Sequence, residues 1–134
     1  MTIPWVGPTL NSLWSGKHWS FRKQVADSGH KAVITAKNGV EPFYEPVELE
    51  FRFHIKGRRF DCSNMAVTIK AIEDGLVLCG IIPNDGPNDV RKITIYAPEK
   101  SKTQSYTIVK IKEYSSETPK FLEEKYTGKA VIPY

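Results

Sequence analysis

The sequence has few cysteines and no long apolar stretch. Cys62 and Cys79 are the only cysteines among its 134 residues, too few for a disulfide framework and not spaced as a zinc site. A reducing cytoplasm is therefore the simplest compartment. The longest nearly apolar run covers residues 75–82, far short of the roughly 20 residues that cross a bilayer. Pro4 and the Gly7-Pro8 pair interrupt any signal-like start, so we expect no membrane partner.

The sequence also lacks a strong charge of one sign. Lysine and arginine total 19 against 15 acidic residues, which gives a net charge of +4 and a pI near 9.0. This mild excess permits a polyanionic partner without requiring one, and an ordinary basic protein is the simpler interpretation. The content of 40% apolar and 25% charged residues excludes a disordered or fibrous protein, and the length is that of one domain.

Hydrophobic periodicity predicts two helices and a half-buried strand. Residues 47–55 alternate apolar and polar side chains, which is typical of a strand with one buried face. Apolar residues near one face predict a helix over residues 21–37, which Gly29 weakens by roughly 1 kcal/mol. A second apolar stripe predicts a helix over residues 63–79 that Gly80 ends.

The remaining segments complete a small α+β domain. They are a short apolar piece at residues 2–6, a loop over residues 7–16, and two strands over residues 90–97 and 104–112 that we expect to form a hairpin. The order β-α-β-α-β-β predicts a single domain over residues 1–113, with a mixed sheet and two helices packed on it. Residues 114–134 show no clear element and are predicted to form a peripheral tail.

Acidic residues bracket the second predicted helix, which also carries a lysine. Asp61 lies where the helix begins, and Asp85 lies in the loop after it. Lys70 and Asp74 are four residues apart, one turn along the same face. Carboxylates can hold Mg²⁺, and a nearby lysine can neutralise phosphate oxygens, so this pattern suits phosphodiester hydrolysis. The spacing fits turn-forming aspartates and a surface ion pair equally well.

Basic residues flank this acidic pattern. Lys56, Arg58 and Arg59 form a turn just before Asp61, where they can draw phosphate groups towards the acids. Lys17, His18 and Arg22 are further candidates for DNA contact, because the first two lie in a basic loop with aromatic residues. Arg91 and Lys92, at the start of a predicted strand beside the acidic loop, could extend this DNA track, and ordinary solvated charge is the alternative interpretation for these two.

An ordered set of short motifs resembles the RusA family of Holliday-junction resolvases, the crossover-junction endodeoxyribonucleases of phages and prophages. The similarity covers about residues 2–112. The motifs are Arg58-Arg-Phe-Asp61-Cys-Ser-Asn64, Lys70, Asp74-Gly75-Leu76, Gly80-Ile-Ile and Asn84-Asp85. The opening of the chain, with Thr2-Ile-Pro-Trp5 and Lys17-His18-Trp19, resembles the first strand and basic loop of the family.

The resemblance implies a Mg²⁺-dependent homodimer that nicks two strands of a four-way DNA junction, in recombination and repair, within the bacterial or phage-infected cytoplasm. Asp61 and Asp85 match the aspartates that bind metal in the family. Lys70 matches the catalytic lysine. Asp74 matches the helix aspartate, either as a further ligand or as a partner of Lys70.

Two positions depart from the most acidic form of the family pattern. Ser63, which precedes the matching Asn64, and Asn84 stand where many relatives have aspartate. Each departure removes a possible carboxylate ligand, so that water would complete the metal shell. Two other functions remain open: a junction-binding protein with little cleavage, and a non-DNA interaction module that retains only the fold.

Overall fold

The strand β2 (Val47–Ile55) lies inside the sheet and has one fully apolar face. The computed structural model describes residues 1–14 and 19–115. The odd-numbered side chains of β2 are at most 4% exposed, whereas the even-numbered polar ones are half-buried or exposed. The alternating residues thus give β2 one buried face and one face towards solvent. The predicted strand is confirmed at its predicted bounds.

Four further strands complete a mixed sheet: β1 (Thr2–Ile3), β3 (Val90–Ile95), β4 (Glu99–Lys100) and β5 (Tyr106–Glu113). The order across the sheet is β1-β5-β2-β3, and β4 also pairs with β2. β5 is antiparallel to β1 and β2, whereas β3 and β4 are parallel to β2. The predicted hairpin is wrong, because β3 and β5 lie on opposite sides of β2, and β4 occupies part of the predicted hairpin loop.

The helices are α1 (Leu10–Trp14), α2 (Trp19–Ala36) and α3 (Ala66–Leu78), with a short 3-10 helix at Cys62–Met65 ahead of α3. Both long helices lie where the periodicity predicted them. The prediction of a loop over residues 7–16 is wrong over residues 10–14, where α1 forms, and residues 15–16 lie outside the description. Thr9 caps this helix by accepting a hydrogen bond from the Ser12 backbone N–H (3.0 Å).

Glycines allow α2 and α3 to pack closely. A Cβ atom at Gly29 would lie 2.7 Å from the Ala71 Cβ, and one at Gly75 would lie 2.9 Å from the Val33 Cβ. Because such distances are below any real carbon–carbon contact, both positions require glycine. Gly29 therefore serves the helix–helix contact at the expense of helix propensity.

The core lies between these helices and the apolar face of the sheet, and the predicted α+β class is confirmed. The largest fully buried side chains include Phe51, Phe53, Ile72, Leu76 and Val109. No helix within the described ranges is long and apolar enough to cross a membrane. The predicted tail over residues 114–134 falls outside the description from residue 116 onwards.

Candidate functional site

Lys70 is the centre of the candidate site. The side chains of α3 before and after it are buried against the core, so Lys70 points outward and is 65% exposed. Asp74 lies one helical turn further on, and the Lys70 Nζ is 3.1 Å from its Oδ1. The helix thus realises the i,i+4 pair that the sequence spacing predicted.

The loop after α3 brings Asp85 to the same lysine. The helix ends where Gly80 adopts a φ of +76°, and the Ile81 N–H donates to the Leu76 carbonyl oxygen at 2.9 Å. Ile81 and Ile82 are buried and anchor the returning chain. The Lys70 Nζ then donates to the Asp85 Oδ2 at 2.7 Å, so that one ammonium group contacts two carboxylates.

This contact keeps both partners charged. The pKa of Lys70 is raised, chiefly because its ammonium group donates to Asp85, with Asp74 adding to the effect. The pKa of Asp85 is lowered, chiefly because it accepts that hydrogen bond. Lys70 therefore offers a permanent positive charge at neutral pH and is a poor proton acceptor.

Sequence reasoning missed a third acidic residue beside the lysine. Glu73 lies on α3 with only 9% of its surface exposed. Burial raises the pKa of its carboxyl, while the charge of Lys70 lowers it. The available signal was an acidic residue three positions after Lys70 and next to the apolar stripe of the helix.

Asp61 lies at the N-terminal end of the 3-10 helix and is exposed. Its carbonyl oxygen accepts a hydrogen bond from the Asn64 N–H (3.0 Å), but its carboxylate makes no capping bond. In the described part of the chain, Asp61 has no ion pair with Lys70. The structure therefore brings Lys70, Asp74 and Asp85 into contact and leaves Asp61 outside that contact.

The two positions that lack an expected carboxylate have different surroundings. Ser63 is exposed within the 3-10 helix. The Asn84 side-chain oxygen accepts a hydrogen bond from the Asp85 backbone N–H (2.8 Å). Asn84 thus contacts the site loop at the residue whose carboxylate contacts Lys70.

The predicted DNA-contacting residues lie in three places. Lys56, Arg58 and Arg59 are exposed in the turn after β2, where Gly57 has a φ of +101°. Arg22 of α2 lines a cavity of about 340 Å³ between the three helices, and Lys70 and Asp74 line the same cavity. Lys17 and His18 lie outside the described residues.

The donor chemistry of this cluster fits Mg²⁺. Two carboxylates, from Asp74 and Asp85, already converge on one positive centre, the Lys70 ammonium group. Mg²⁺ takes hard oxygen ligands and is commonly held by one or two carboxylates with water in its other positions. Within residues 1–14 and 19–115, no group of three or more histidine, cysteine, aspartate or glutamate side chains is placed to hold a metal ion. The residues therefore fit a site with two protein carboxylates.

No protein-family model and no curated protein matches this chain.

Proposed function

We propose that the protein is a Mg²⁺-dependent, structure-selective endodeoxyribonuclease that resolves four-way DNA junctions by paired symmetric nicks, in recombination and repair. The contact of Lys70 with both Asp74 and Asp85 carries this proposal. These are three of the positions at which the sequence resembles the RusA family, and they come from a helix and a separate loop. The contact between their side chains supports a shared chemical role.

Each residue of the cluster has a distinct role in this proposal. Asp85 would hold Mg²⁺, with Asp74 as a further ligand or as the partner that orients Lys70. Asp61 lies outside the contact of these three residues, and its role as a metal ligand rests on the resemblance alone. The metal ion would supply activation of water and neutralisation of phosphate charge. Lys70 keeps its positive charge because two carboxylates stabilise it, and it places that charge where negative charge develops on the phosphate oxygens.

The surrounding charges suit a DNA substrate. The exposed residues Lys56, Arg58 and Arg59 lie in the turn that leads to Asp61, and in this proposal they would bind phosphates near that residue. Lys17, His18 and Arg22 extend the proposed DNA contacts. A homodimer would repeat this surface about a two-fold axis, which matches the near two-fold symmetry of a four-way junction.

The test is cleavage of a mobile synthetic four-way junction with and without Mg²⁺, with matched duplex DNA as the control substrate. We expect symmetric nicks that require Mg²⁺ and that fall at least a hundredfold in rate in Asp61→Asn, Asp85→Asn and Lys70→Met variants. Asp27→Asn changes an exposed aspartate of α2 and should retain the full rate. Nicks that persist in all three site variants would refute the proposed site.

A second function, junction binding with little cleavage, is favoured by two observations. The described residues contain no cluster of three metal-ligating side chains, and Ser63 and Asn84 supply no carboxylate. In that case, the same assay would show tight binding that needs no Mg²⁺, and no nicks. Absence of both binding and nicks would leave an interaction module that keeps only the fold.

A further inference from the structure

Within the described residues, the outer edge of β3 has no partner strand and carries exposed apolar side chains. Among the described strands, β3 pairs only with β2, which leaves its other edge without a partner strand. Ile93 and Ile95 of β3, and Tyr96 directly after it, are among the exposed large hydrophobic side chains, at 38%, 41% and 38%. Soluble proteins commonly protect such an edge with charges, proline or a covering segment, because it can pair with another strand. Here only Arg91 and Lys92, at the beginning of the strand, are charged.

The register shows which groups of β3 face outward. The Tyr96 N–H donates to the Phe51 carbonyl oxygen of β2 (3.1 Å). Because backbone direction alternates along a strand, the backbone groups of Lys92 and Thr94 also face β2. Those of Arg91, Ile93 and Ile95 therefore point away from the sheet. Ile93 and Ile95 pair with Leu49 and Phe51, so their side chains lie on the apolar face, where they extend the core to the edge of the sheet.

We propose that this edge binds the same edge of a second copy of the chain, with the two β3 strands antiparallel and the two-fold axis at Thr94. Thr94 then lies opposite Thr94 of the second copy in a pair without mutual hydrogen bonds. Ile93 lies opposite Ile95 in a pair that exchanges two backbone hydrogen bonds. This register uses the outward-facing backbone groups and no others.

The edge is complementary to itself in this register. On the apolar face, each Ile93 contacts the Ile95 of the other copy. The four isoleucine side chains, partly exposed in the single chain, are then covered by the interface. On the polar face, each Lys92 meets a Tyr96 ring, a cation–aromatic contact. Arg52 already lies over Tyr96 within one copy, 3.7 Å from the ring centroid. No two like charges are directly opposite, since Arg91 meets Ala97.

Such a dimer also determines how far apart the two candidate sites lie and which face of the sheet they share. The use of that arrangement rests on the proposed function. Antiparallel pairing about an axis perpendicular to the sheet keeps the helices of both copies on one face of a joint ten-stranded sheet. Each loop with Asp85 leads into the start of β3 at Val90. The two Val90 positions are eight strand residues apart, about 26 Å. Two sites on one face can then reach two strands of one branched DNA.

A cysteine at the proposed axis tests the register directly. In a Cys62→Ser background, which removes the exposed native thiol, Thr94→Cys should form a covalent dimer on mild oxidation. Residues opposite each other without mutual hydrogen bonds lie about 4.5 Å apart at Cα, within disulfide range. Ser28→Cys, on the exposed surface of α2, is the matched control and should stay monomeric on a non-reducing gel. Equal cross-linking of the two variants would overturn the proposal.

Sedimentation without DNA or Mg²⁺ tests the surface itself. The wild-type chain should sediment as a dimer, and Ile93→Lys with Ile95→Lys should weaken dimerisation at least a hundredfold, because each lysine then faces another. Ile34→Lys with Leu78→Lys changes two apolar side chains exposed on the helices and should leave the dimer intact. Circular dichroism confirms that both variants fold. A monomeric wild-type chain, or equal loss in both double variants, would overturn the proposal.

The two proposals fail in different ways. A dimer that cross-links through Thr94→Cys but never nicks a junction would support the β3 interface and contradict the proposed nuclease. A monomer that cleaves junctions with Mg²⁺ would support the nuclease activity and contradict the proposed β3 interface.

Discussion

Lys70 and Asp85 form an ion pair that is held by one short hydrogen bond at the protein surface. The lysine side chain is 65% exposed and the aspartate side chain 27% exposed. Solvent screens an exposed pair, and such pairs contribute a few tenths of a kcal/mol to 1 kcal/mol to stability. The contact is therefore more important for the charge it maintains at the site than for the stability of the fold.

The free energy of unfolding should depend on pH through the ion pair between Lys70 and Asp85. The pKa of Asp85 is lowered from 3.8 in the folded protein, so its stabilisation is present above pH 3.8 and is lost as the pH falls further. The pKa of Lys70 is raised from 10.5, so the stabilisation is also lost as the pH rises beyond that value. Urea unfolding should show Asp85→Asn less stable than wild type by about 0.5 kcal/mol at pH 7, with a smaller difference at pH 2.

Asp27→Asn serves as the control in the same titration, because Asp27 is exposed on α2 and has no role in the site. A difference between wild type and Asp85→Asn that is constant from pH 2 to pH 7 would contradict the ion pair as its cause.

At the residue scale, the sequence predicted part of the candidate site. The contact between Lys70 and Asp74 follows from helical spacing alone. The contact with Asp85 depends on how the chain turns at Gly80 and on the burial of Ile81, and local patterns do not specify that geometry. Asp85 was predicted to belong to the site because it follows the helix that carries Lys70 and because of the resemblance, whereas its hydrogen bond to Lys70 is visible only in the fold.

At the scale of elements, the packing of α2 on α3 depends on small residues at the contact. Gly29→Ala would raise helix propensity by about 1 kcal/mol, yet its new methyl group would lie 2.7 Å from the Ala71 Cβ and 2.9 Å from the Trp5 ring. We expect overpacking to dominate, with a net destabilisation of about 1–3 kcal/mol. Thermal or urea unfolding measures it.

Ser28→Ala is the matched substitution for this prediction, one position away on the exposed face of α2. It should be neutral or slightly stabilising, because alanine favours the helix and meets no neighbour. If Gly29→Ala were the more stable of the two variants, the close approach of the helices would not be the reason for glycine.

Elements with a regular pattern were predictable, and their partners were not. The alternation of residues 47–55 and the apolar stripe on α3 give strand and helix directly. The relation of β3 to β5 is different, because consecutive strands often pair as a hairpin and nothing local indicates otherwise. In this fold β2 lies between them, since β2, α3 and β3 form a parallel crossover unit.

At the scale of the whole molecule, the net charge of +4 gives the proposed DNA binding a measurable salt dependence. If each protomer contacts several phosphates, junction affinity should fall by about a thousandfold or more between 50 and 200 mM salt. Arg58→Gln with Arg59→Gln should reduce the slope of log affinity against log salt by about 4, because the proposed dimer loses two phosphate contacts in each protomer. Fluorescence anisotropy with a labelled junction measures both quantities.

Lys31→Gln with Lys37→Gln removes the same charge from the exposed surface of α2 and the residue just after it. This control should leave the slope nearly unchanged. An equal reduction in both double variants would mean that net charge, and not the basic turn before Asp61, determines binding.

The pairing of β1 with β5 has a consequence for how the protein is made. Among the described strands, β1 pairs only with β5, and the Met1 amino group donates to the Val109 carbonyl oxygen across 108 residues of chain. At about 5–20 residues per second, a ribosome needs roughly 5–20 seconds to synthesise that intervening chain. During that time, β1 has no partner strand, and the apolar row of β2 lacks the strand on one side. A ribosome that stalls before Tyr106 would therefore hold a nascent chain with an open sheet, a substrate for chaperones.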